Sequence, residues 1–122
     1  MTTLLHITSR EQWQTAQAAG IYRGDTLKTD GFIHCSLAAQ VIDVANTLYQ
    51  GRDDLVLLVI DEAQVEPEVR YEDCYETGQD FPHLYGPLNV DAVRDVLPFS
   101  PGTDGTFRLP EPLRSTSEDT SG

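Results

Sequence analysis

The chain has three histidines, His6, His34 and His83, and each sits in its own motif. These are Leu5-His6-Ile7, Gly31-Phe32-Ile33-His34-Cys35-Ser36 and Phe81-Pro82-His83-Leu84-Tyr85-Gly86-Pro87-Leu88. An imidazole can donate a hydrogen bond to a phosphate or hydroxyl, shuttle a proton near neutral pH, or ligate a metal. Three imidazoles could build a zinc site with one open position. The spacings are long, however, and match no local ligand pattern such as a helical pair four apart, so no metal is expected. Cys35 stands just before a helix start, where a thiolate is favoured. Alternation along the strand turns it to the side opposite His34, which makes it a core residue. Cys74 lies among Glu72, Asp73 and Glu76, which disfavour a thiolate.

The elements that must position these residues follow from hydrophobic spacing. Leu4 to Thr8 reads as a strand with Leu5 and Ile7 on one face and Leu4, His6 and Thr8 on the other. Ser9 and Gln12 form a capping box for a helix from Arg10 to Ala19, ended by Gly20. Ile21 to Asp30 shows no regular pattern. Gly31 to Ser36 reads as a strand whose last residue, Ser36, caps a second helix over Leu37 to Tyr49. Leu55 to Ile60 is apolar on both faces and belongs at the centre of a sheet. Glu68 to Tyr71 and Asp95 to Phe99 are further strands, and Asn89 caps one helical turn. Pro82 and Pro87 argue that Phe81 to Leu88 is an ordered loop rather than a strand.

The expected fold is therefore α+β, with two main helices on a mixed or antiparallel sheet. Residues 1–99 form the domain, and 100–122 form an extended tail that is largely disordered. If Leu5, Ile7, Ile33 and Cys35 face the helices, His6 and His34 emerge together on the other side. The loop carrying His83 then covers the rim of one shared cleft.

Composition narrows the partners. A net charge of −12 and eight basic residues exclude nonspecific binding to duplex nucleic acid and disfavour an anionic membrane surface. No apolar run approaches the roughly 18 residues needed to span a bilayer. Met1 to His6 has neither the basic nor the apolar region of a signal peptide, so a cytoplasmic setting with reduced cysteines is expected. A small molecule or nucleotide is the remaining ligand class. Arg23 could meet a phosphate and Tyr22 could stack on a base. Tyr85 could stack on a planar ring, and Glu72 is the acid nearest the His83 motif.

The three histidine motifs together make residues 3 to 99 resemble the family called Domain of Unknown Function 952. That family is remotely similar to the ADP-ribosyltransferase-like fold, which includes the RNA 2′-phosphotransferases. The resemblance implies a split sheet whose cleft takes NAD as a substrate. It places His6 where ribose or phosphate is bound, and His34 with Ser36 where the nicotinamide ribose is positioned. His83 takes the late site position, giving His34, His83 and Glu72 as the catalytic set. The sequence departs from the transferase pattern in two places: the His83 motif has no glutamate, and no arginine sits beside His6. The function implied is an NAD- or ADP-ribose-type nucleotide-binding protein, or an ADP-ribosyl- or phosphotransferase-like enzyme. A non-catalytic small-molecule binding module and a histidine-based metal-dependent hydrolase are the alternatives.

Overall fold

The computed structural model describes residues 2–24, 26–73 and 78–113. Strand β1 (Thr3–Ser9) runs directly into helix α1 (Arg10–Ala19). Ser9 Oγ accepts the Gln12 backbone N–H at 3.1 Å, satisfying one of the orphan donors of the first turn. Gly20 ends the helix with a φ of 80°, the left-handed cap expected of glycine there.

The stretch after Gly20 is more ordered than its sequence predicts. It holds strand β2 (Ile21–Tyr22) and helix α2 (Thr26–Asp30). Gly31, with a φ of 87°, donates its N–H to the Leu27 carbonyl at 3.0 Å and closes α2. Gly31 thus ends a helix instead of opening a strand, and strand β3 shrinks to Ile33–His34.

Helix α3 spans Ala38–Leu48, one residue later than expected, with Leu37 rather than Ser36 at its N-cap. The Ser36 N–H and C=O both pair with Leu5 at 2.8 Å, which holds Ser36 extended and outside the helix. Gln40 Oε1 instead takes the Leu37 N–H at 2.9 Å.

The remaining strands are β4 (Leu55–Asp61), β5 (Glu68–Glu72), β6 (Phe81–Tyr85), β7 (Leu88–Asn89) and β8 (Val93–Phe99). Among the described residues every pairing is antiparallel, in three sheets ordered β1-β4-β8, β2-β7 and β3-β6-β5. The architecture is α+β, and the Leu5–Ser36 bridge joins the two three-stranded sheets.

The expected loop over Phe81 to Leu88 is corrected: its first half is a central strand. Pro82 is tolerated for a geometric reason. Its carbonyl accepts the Cys35 N–H at 3.0 Å, so the donor that proline lacks would face the same side. That side faces Cys35, the last residue of the β3 pairing, so the proline forfeits one terminal bond rather than one in mid-ladder.

Two cores flank the first sheet. Leu5, Ile7 and Leu57 pack with Val41 and Ala45 of α3. Leu4, Leu58 and Ile60 pack with Trp13 and Ala16 of α1, and with Ile33 and Leu84 of the second sheet. The helices therefore lie on opposite sides, and α1 covers the face that carries His6. β4 needs apolar residues on both faces because both are covered, as its sequence predicts.

The chain does not leave the fold at residue 99. Phe107 is 2% exposed and stacks on Phe99 with ring centroids 4.8 Å apart. Its N–H donates to Asn46 Oδ1 at 2.8 Å. The extended tail expected from residue 100 is corrected for this segment, because burial of one aromatic ring outweighs the turn-rich composition around it. The expectation of disorder over Ser115 to Gly122 lies outside the described residues. Among the described residues no helix is long and apolar enough to cross a membrane.

Candidate functional site

His6 alternates with the core residues Leu5 and Ile7, so its ring enters the space between the two sheets. Nδ1 lies 2.5 Å from the His34 carbonyl and Nε2 lies 2.7 Å from the Tyr22 hydroxyl. A carbonyl can only accept, so Nδ1 carries the proton. The Tyr22 hydroxyl also lies 2.9 Å from Thr8 Oγ1, and Thr8 donates to Gln12 Oε1 at 2.8 Å. A polar chain thus runs from the β3 backbone to the first turn of α1. His6 and Tyr22 are tied into it, and the ring of His6 pins the main chain of His34.

His34 follows from β3. Its Nε2 sits 2.9 Å from Asp30 Oδ2, four residues earlier across the Gly31 turn. The carboxylate oxygen accepts from Nε2 and so fixes the orientation of the ring. Asp30 is a partner that the sequence reading missed. The signal was present in Thr26-Leu27-Lys28-Thr29-Asp30-Gly31, a helical turn closed by glycine.

A cleft of about 500 Å³ opens between β1, β3 and α3. His6, Tyr22, His34 and Ser36 line it, together with Thr26 and Asp43. Much of the rest is apolar, from Leu5, Ile7, Val44, Leu48 and Phe81. The cleft combines an apolar body with polar groups on one wall, as small-molecule sites do. Leu48 is 69% exposed at its rim.

His83 is not in this lining, which corrects the expectation of three imidazoles in one cleft. In the register of the second sheet His83 lies opposite both His34 and Arg70, on one face with Phe32, Tyr85 and Glu72. Its side chain is completely buried. Phe32 stacks on it with centroids 4.1 Å apart, and the His34 ring meets it edge-on at 5.4 Å. Nδ1 lies 3.1 Å from Glu72 Oε1, and the same carboxylate oxygen accepts the Tyr85 hydroxyl. Arg70 covers the other side of Tyr85, 4.6 Å from the ring centroid. The structure therefore separates the predicted residues into two neighbouring groups. One is the cleft with His6, Tyr22, His34 and Ser36. The other is the Glu72–His83–Tyr85 cluster, and His34 touches both.

Arg23 joins neither group: it is exposed and lies outside the cleft lining, so the expected phosphate contact is not formed by this cleft. Cys35 is buried, and burial pushes its thiol well above the usual range, which removes it as a nucleophile. Cys74 lies outside the described residues. Among the described residues no group of three or more His, Cys, Asp or Glu is placed to hold a metal ion.

The Glu72–His83–Tyr85 cluster is electrostatically defined. The Tyr85 hydroxyl, and then the His83 imidazole, hold the Glu72 carboxyl below its ordinary range. Burial pulls the His83 imidazole down from its ordinary 6.5, helped by the neighbouring His34 and opposed by Glu72. Both folded-state values are depressed, so the unfolded chain takes up protons first as pH falls. Stability is full above about pH 6.5 and declines below it as His83 titrates in the unfolded state, with Glu72 adding to the loss near its ordinary 4.5. Urea unfolding at about pH 7.5 and about pH 5 should show a lower midpoint at the acid end. The drop should be smaller in His83→Gln, and equal drops in the two proteins would refute the assignment to His83.

Together these features define a small α+β domain with a largely apolar, imidazole-bearing cleft beside a buried imidazole held by a partly exposed carboxylate and phenol. The chain belongs to the family described as protein of unknown function (DUF952), whose model matches residues 7–96. It is similar to the crystal structure of protein CC0527 from Caulobacter crescentus, with a TM-score of 0.84 and 32% identity over 93% of this chain and 99% of that one. The solution structure of CC0527 gives a TM-score of 0.77 and 34% identity over 89% of this chain and 94% of that one. No curated protein matches the chain.

Proposed function

We propose that the protein binds a small organic molecule in the cleft between β1, β3 and α3, with His34 as its main polar contact. The carrying observation is one hollow of about 500 Å³ where the imidazole of His34, held by Asp30, meets an apolar wall. The His6 ring fixes the His34 main chain, so the contact is pre-organised. This is a binding site with a group able to move a proton. Whether the bound molecule reacts depends on its own chemistry.

The second reading is a transferase that uses NAD or an ADP-ribose-type nucleotide. One observation favours it. Glu72, held as a carboxylate by Tyr85 and His83, is the acid that the sequence pattern lacked. Against it, Glu72 lies outside the cleft lining, and so does the exposed Arg23.

A thermal-shift screen of ring-bearing fragments together with NAD, ADP-ribose and AMP tests both. Occupancy at about a hundredfold excess over Kd stabilises the fold by about 2.7 kcal/mol, which is readily measured. The expected result is a fragment whose shift disappears in Val44→Trp, which fills the cleft, and weakens in His34→Ala. A screen with no binder, or binders indifferent to both substitutions, would refute the cleft as the site. An NAD response lost in Glu72→Gln would favour the transferase.

A further inference from the structure

One edge of β1 runs into the cleft with no strand beside it. Backbone groups alternate in direction along an antiparallel strand. The Thr2 carbonyl accepts the Glu62 N–H, and the Arg10 N–H donates to the Asp54 carbonyl. The even-numbered residues of β1 therefore turn their backbone groups toward β4, and the odd-numbered ones turn theirs away. Leu5 commits both of its groups to Ser36, each at 2.8 Å. Continuing that antiparallel bridge by one pair would set Ile7 against His34. Instead the His34 carbonyl takes the proton of the His6 ring at 2.5 Å, and the bridge ends at a single pair. There β1 and β3 part, and Ile7 lines the cleft between them. Its N–H and C=O lie on the open edge, and neither meets a partner among the described residues.

Resting on the cleft as the binding site, we infer that the Ile7 backbone recognises the ligand and that the ligand is a ring-bearing amide. Its N–H and C=O lie on one edge, as in a primary carboxamide or a lactam. An extended residue presents its own N–H and C=O side by side. Such an amide answers donor with acceptor and acceptor with donor, as a next strand would. The ring meets the apolar wall of Val44, Leu48 and Phe81. A purely apolar ligand would strip water from both backbone groups and leave them unsatisfied, which is costly. The pairing itself depends on no side chain and on no side chain's charge.

A set of probes with one aromatic ring separates the geometry from the ring. Benzamide and isoindolinone carry N–H and C=O on the same edge. N-methylbenzamide holds them on opposite edges of a trans amide, and methyl benzoate has no donor. NMR titration of the full chain gives the affinities and follows the Ile7 amide proton. The first two should bind about tenfold or more tightly than the last two, the scale of two hydrogen bonds. On binding, hydrogen exchange at the Ile7 N–H should slow far more than at Leu5, which is already paired. Ile7→Pro removes the donor without touching the β4 ladder and should level the affinities. Ile7→Val keeps the donor and should preserve their order.

Equal affinities for all the probes, lost in Val44→Trp, would overturn the amide class while leaving the cleft as the site. A preference for the one-edged amides with no protection of the Ile7 N–H would overturn Ile7 as its source. Absence of binding by every probe, or binding that Val44→Trp leaves intact, would overturn the cleft itself.

Discussion

Phe107→Ala should destabilise the protein by about 3–5 kcal/mol, the usual cost of removing a buried aromatic ring. The side chain is 2% exposed, stacks on Phe99 and packs beside Val41 and Ala45 of α3. Its backbone donor is also committed, to Asn46, so the surrounding chain cannot close over the cavity without losing that bond. Urea unfolding of the variant against the parent measures the difference. A chain truncated after residue 100 should lose at least as much. If both changes leave the midpoint where it was, the segment around residue 107 is not part of the folded unit, and the domain ends at residue 99.

His83→Ala should cost about 2–4 kcal/mol through the void left in a closed packing site. The ring is completely buried beneath Phe32 and against His34, and its Nδ1 holds Glu72. A solvent-facing catalytic imidazole would behave differently, losing activity while leaving stability nearly unchanged. His83→Phe is the second variant. It keeps a ring against Phe32 but cannot bond Glu72, so it should recover a good part of the loss and leave Glu72 with Tyr85. Ligand binding in the cleft should then survive in His83→Phe and fail in His34→Ala. Equal loss of binding in His83→Phe, with stability retained, would return His83 to the site.

The division between the two imidazoles shows what periodicity can and cannot specify. Alternation along single strands correctly set His6 against Leu5 and Ile7, and His34 against Ile33 and Cys35. The strong local signals were also legible: the Ser9 cap, the Gly20 stop and the two-faced apolar run of β4. Each rests on chemistry within a few residues, where the backbone has few alternatives.

What periodicity could not specify was what covers each face. Placing both helices on one side of the sheet left the His6 face open, whereas α1 packs on that face and α3 on the other. Pro82 looked incompatible with a central strand because a missing donor is costly wherever a ladder partner waits. Only the register shows that the donor would point at Cys35, the last residue of the pairing, where one bond is lost at the end of the ladder. Ser36 looked like a helix cap because its local sequence allows it, but a long-range bridge to Leu5 claims its backbone first.

The sequence by itself determined the α+β class, the three histidine motifs and the strand faces on which their side chains lie. The tertiary structure decided which of those histidines share a space. His6 and His34 meet because a hydrogen bond crosses from β1 to the β3 backbone. His83 is buried in the second sheet, where β5 brings Glu72 beside it. Long-range pairing sets such distances, and residues 28 or 11 apart in sequence carry no local signal of it.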